Sequence, residues 1–118
     1  MLINSVVQPL TKGLFRSVVG DSSGGSPGGT VQLTTDVDTG TFYWVLTTSA
    51  TPPSIAQVKA GQDHLGVSAP ASGNKGVTAT GVQNDSVTGL AAATTYYPYF
   101  VHTNIVDSNV LAGTSDTT

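Results

Sequence analysis

The run Thr41-Phe-Tyr-Trp-Val-Leu-Thr-Thr48 limits what this chain can fold into more than any other segment. Aromatic and β-branched residues fill a pleated surface well, so the run predicts a strand. Alternation puts Phe42, Trp44 and Leu46 on one face and Tyr43 and Val45 on the other. Apolar residues on both faces imply a central strand covered on both sides, or a sandwich strand that meets a partner. None of these side chains does bond-making chemistry. After Pro52-Pro53, Ser54 is a good N-cap for a short helix from Ile55 to Ala60, closed by Gly61.

The rest of the chain repeats the strand-and-turn theme. Residues 30–37 alternate, with Val31, Leu33, Thr35 and Val37 on one face, and Asp38-Thr39-Gly40 is a turn. Residues 62–75 read as a long loop, and residues 76–80, 85–88, 94–106 and 110–114 as further strands. Pro98 cannot donate a ladder hydrogen bond, which predicts a bulge or a lapse in pairing to one neighbour. About seven short strands joined by turns match a Greek-key sandwich. The composition agrees, because only 9% of residues are charged and all seven acids are Asp, a turn former rather than a helix former. With no cysteine, disulfides and thiolate metal sites are excluded.

Charge excludes other classes. The net charge is −3, and the four basic residues, Lys12, Arg16, Lys59 and Lys75, are scattered. Nucleic-acid binding needs clustered cations, and anionic membranes favour the same, so neither partner is expected. The N-terminus lacks a basic n-region, and no apolar run approaches the roughly 20 residues of a membrane-spanning helix. The expectation is a protein made in the cytoplasm.

Residues 1–19 differ in pattern from the remainder of the chain. Val7, Leu10, Leu14 and Val18 recur at spacings of three and four, with Phe15 alongside, which predicts an amphipathic helix or an extended arm. A helix this short is marginal alone and must dock, so these five residues are candidate anchors into a partner. Residues 20–29 are a Gly/Ser-rich linker by composition, and residues 30–118 are the β-rich body.

Leu90-Ala-Ala-Ala-Thr-Thr-Tyr96 resembles the Leu-x-Pro-x-Thr-x-Tyr pattern at the E–F corner of fibronectin type III domains. The resemblance implies an Ig-like or fibronectin type III-like sandwich in which Tyr96 locks the crossover and Leu90 fills the core. Ala92 stands where the family often has Pro, and the aromatic cluster around Trp44 lies one strand later than the family's usual Trp. The stretch from Trp44 to Gly61 is similar to fibronectin-III-like repeats of bacterial surface and bacteriophage structural proteins. The Pro9-Leu-Thr-Lys-Gly-Leu-Phe-Arg16 run looks like the start of small phage virion proteins. These likenesses imply a non-enzymatic virion part without cofactor: a decoration, head-fibre, neck or tail component. Its partners would be capsid, neck or tail proteins and copies of itself.

Several motifs suggest chemistry. Asp38-Thr39-Gly40 matches the catalytic triplet of dimeric aspartic proteases, but it is also ordinary turn chemistry, and Asp36 adds charge where an apolar residue belongs. Asp36 and Asp38 as calcium ligands would lack the closing Glu. His64 and His102 have no Cys or Glu to complete a zinc site, so metal binding is not expected. His64 reads as a loop residue and His102 as a half-buried strand residue. Asn84-Asp-Ser86 fits a glycosylation sequon that has no meaning in a bacterial cytosol. Tyr96, Tyr97, Tyr99 and Phe100 could present an aromatic row to a host glycan, which makes a carbohydrate- or receptor-binding module the alternative function.

Overall fold

Strand β3 (Thr41–Thr47) pairs on both edges, with β4 (Ala71–Gly76) on one side and β6 (Thr95–Thr103) on the other. The computed structural model describes residues 10–18, 28–35, 39–103 and 110–118. The pairs Trp44↔Phe100 and Leu46↔Pro98 set the register with β6. This sheet runs β4-β3-β6-β7, where β7 is Leu111–Ala112, and β8 (Asp116–Thr117) also pairs with β6. A three-stranded sheet faces it, ordered β1-β2-β5: Leu10–Val18, Gly28–Thr35 and Gly81–Val87. Among the described residues the chain is therefore all-β in two antiparallel sheets, with one short helix, α1 (Ile55–Ala60).

The two faces of β3 carry two cores. Phe42, Trp44 and Leu46 point between the sheets and pack with Phe15, Val31, Leu33, Val87 and Phe100. Val45 points outward, where Val58 of α1 covers it beside Tyr99 and Val101. The helix forms as its sequence predicts. Ser54 accepts from the Gln57 N–H at 3.2 Å, the Gln57 side chain returns the bond to Ser54, and Gly61 closes the end at φ 75°.

Of the two conformations expected for residues 1–19, helical or extended, residues 10–18 take the extended one. Leu10–Val18 is a strand whose register with β2 runs from Leu10↔Thr35 to Val18↔Gly28. The three- and four-residue spacing is real, but backbone pairing with β2 and burial of Phe15 between the sheets decide the conformation. Gly28 and Gly29, read as linker, belong to β2, and residues 19–27 join two neighbouring strands of one sheet. Two further corrections concern the middle of the chain. Residues 71–75, read as loop, lie in β4, which ends at Gly76 where a strand over residues 76–80 was expected to begin, and the next strand, β5, starts at Gly81.

The two long sides of the sandwich differ. On one side the chain after β7 crosses to β1: Phe15 N–H donates to Thr114 O and Thr114 N–H to Gly13 O, both at 3.0 Å, in a parallel bridge. Two glycines permit this approach. A Cβ on Gly13 would lie 2.4 Å from the Phe100 ring, and one on Gly113 would lie 2.7 Å from the Gly13 carbonyl. Pro98 sits where β6 passes from β8 to β7 as its partner, the lapse in pairing that its missing N–H predicts. On the other side, β4 and β5 are the edge strands of their sheets, and the Lys75 side chain bridges them.

Candidate functional site

The outward face of the three-stranded sheet follows from the alternation that buries Val31 and Leu33. Residues opposite one another in antiparallel register share a face. Leu14, Gln32 and Asn84 form one row, and Arg16, Thr30 and Ser86 the next. Within the first row Gln32 Nε2 donates to Asn84 Oδ1 at 2.9 Å. Lys75 reaches across from β4, and its Nζ donates to the backbone carbonyl of Asn84. Together these groups line a cavity of about 540 Å³.

Asp85 stands at the rim of this cavity, and its carboxylate is already engaged. Oδ2 accepts from the Trp44 indole N–H at 2.9 Å, and Oδ1 accepts from the Ser86 N–H at 3.0 Å. The Trp44–Asp85 bond ties the two sheets together. Gly73 gives the indole its room, since a Cβ there would lie 2.8 Å from the Trp44 ring. Arg16 is exposed and forms no ion pair among the described residues.

The residues singled out from sequence fall into separate places. Of the candidate anchors, Leu14 lines the cavity and Phe15 is in the core, 2% exposed, so Phe15 is not available to a partner. Leu10 and Val18 are the end residues of β1, and Val7 lies outside the described residues. Leu90 and Tyr96 are both buried, and Trp44 joins them in the same core. The Tyr96 hydroxyl accepts from the Ala91 N–H at 3.0 Å, and its ring meets Phe15 edge-on at 6.1 Å. Gly89 and Ala93, at φ 73° and 53°, turn the chain through this corner.

The predicted aromatic row does not assemble. Tyr96 and Phe100 face the core, and Tyr99, 2% exposed, lies in the second core with its hydroxyl donating to Ser49 O at 2.9 Å. Tyr43 and Tyr97 are half-buried against that same core, with Lys59 Nζ 5.7 Å from the centre of the Tyr43 ring. Asp36 and Asp38 lie outside the described residues, among which no cluster of three or more His, Cys, Asp or Glu could hold a metal.

His102 is fully buried rather than half-buried. Its Nε2 lies 2.8 Å from the Thr39 carbonyl, and its Nδ1 lies 3.0 Å from the Thr35 hydroxyl on the opposite sheet. A carbonyl only accepts, so Nε2 carries the hydrogen and Nδ1 accepts from Thr35. This imidazole is a fixed strut between the sheets. His64 is half-buried in the loop after α1, and its backbone carbonyl accepts from Gln57 Nε2 at 3.3 Å.

Sequence reasoning passed over Arg16, Gln32 and Asn84. The alternation around Val31 already turned Thr30 and Gln32 outward, but bringing Arg16 and Asn84 beside them needed the pairing of β1 and β5 with β2. The class that the fold and this face define is a two-sheet all-β domain with a polar, neutral-rich surface. No family model, curated protein or solved structure matches the chain.

Proposed function

We propose that the chain is a fibronectin type III-like module that serves, without catalysis, as a structural part of a bacteriophage particle. The strand order β1-β2-β5 against β4-β3-β6-β7 supports the fold assignment, as does the tyrosine corner from Tyr96 to Ala91. The observation that carries the functional reading is where the reactive side chains go. His102 braces the two sheets, and Asp85 holds Trp44. The exposed side chains are mostly uncharged, hydroxyls among small apolar residues, a surface on which many copies can stand close together with little charge repulsion.

The anchor is now shorter than the sequence suggested. Residues 10–18 belong to the sheet, so residues 1–9 are the part that engages capsid, neck or tail. Removing residues 1–9 should leave a folded body that is missing from purified particles, as judged by quantitative mass spectrometry of particle and lysate. Normal incorporation of the truncated chain would sink the anchor reading. The same measurement on the intact chain gives copy number, and a protein absent from particles would remove the virion reading altogether.

A further inference from the structure

We infer that the outward face of β1-β2-β5 is a binding site for a saccharide unit that carries a carboxylate. The argument begins with charge. The chain has only four cationic side chains and a net charge of −3, yet two of those cations, Arg16 and Lys75, border one cavity. Neither forms an ion pair among the described residues, and Lys75 donates only to a neutral carbonyl. Asp85, the one carboxylate at the rim among the described residues, has both oxygens occupied by N–H donors. An exposed guanidinium presents a planar fork that matches a carboxylate in two parallel hydrogen bonds.

The neighbours of Arg16 are suited to a polyol. The Gln32–Asn84 bond fixes both amides and leaves the Gln32 carbonyl to accept and the Asn84 NH₂ to donate. Thr30 and Ser86 add a hydroxyl each beside Arg16, and Leu14 offers an apolar contact for a sugar's C–H face. About 540 Å³ lies within the range of roughly 300–1,000 Å³ for small-ligand sites. A peptide is the poorer match. An added strand would pair along the edge of β5, where Lys75 holds the Asn84 carbonyl and Asp85 the Ser86 N–H, whereas Arg16, Gln32 and Thr30 lie on the face of the sheet.

The site stands whether or not the chain is a virion part, because the test uses the isolated full-length protein. Calorimetric titration with a uronic-acid oligosaccharide, a sialylated oligosaccharide and the methyl ester of the uronic-acid form separates charge from shape. At least one acidic form should bind, more weakly as salt rises. Its neutral ester, made for whichever acid binds, should bind at least tenfold more weakly. Arg16→Gln, at an exposed position, should lower the affinity at least tenfold with an unchanged melting temperature. Gln32→Ala provides a second variant, expected to weaken binding at least threefold. Failure of both acidic forms to bind overturns the proposal. So does equal affinity for acid and ester, or an Arg16→Gln protein that is folded and binds as well as the parent.

Discussion

Tyr99 lies in the second core beside Val58 of α1, with its hydroxyl on the Ser49 carbonyl. Burial pushes its pKa upward, and the neighbouring Tyr97 adds to the rise. The folded state therefore favours the protonated phenol. That contribution is fully present below the ordinary tyrosine value of about 10 and is lost as pH rises through the higher folded value. Denaturant midpoints should fall above about pH 10, and Tyr99→Phe should flatten that fall while removing about 1 kcal/mol at neutral pH. A variant whose alkaline loss matches the parent's would show that another group is responsible. Gly13 makes a different case. It is where β1 passes over the Phe100 ring. Gly13→Ala should cost about 1–3 kcal/mol by urea denaturation, since the added carbon has no room. Tyr96 and Leu90 were legible because a short motif carried them. The inter-sheet role of His102 was not, because it needs Thr35, far away in sequence, to arrive on the facing sheet.

At the scale of elements, α1 and β3 could be read almost residue by residue. Their signals are local: an N-cap with its returning Gln57, a left-handed glycine, and a dense aromatic alternation. β4 could not be read, because Ala-Ser-Gly-Asn-Lys-Gly contains no strong strand former. Its conformation is imposed by pairing with β3 and by the Trp44 ring lying against Gly73. β1 was misread because helical spacing and strand alternation coexist in it, and the docking surface chose between them. This gives a sharp contrast between two truncations. Deleting residues 1–9 should leave a cooperative thermal transition by circular dichroism. Deleting residues 1–19 removes Phe15 from the core and should leave an aggregating chain without such a transition. A soluble, cooperative product from the longer deletion would mean that β1 is dispensable.

For the whole molecule, the asymmetry between the two long sides matters most. The β4/β5 side leaves strand edges open, and open edges invite pairing with other chains. Two side chains guard β5: Lys75 occupies the Asn84 carbonyl, and Asp85 occupies the Ser86 N–H. Lys75→Ala should therefore raise self-association, visible as a concentration-dependent rise in light scattering. A strictly monomeric variant at every concentration would mean that the edge needs no guard. The opposite side, closed by the Gly13–Thr114 contact, has a mechanical meaning. There β1 and the segment around Thr114 run parallel, so tension applied through the two ends of the chain draws them past each other along their length. The hydrogen bonds from Phe15 and Thr114 would then bear the load together, in shear, rather than opening one after another like a zipper. A body tethered at one end and tugged at the other would resist extension at this seam first.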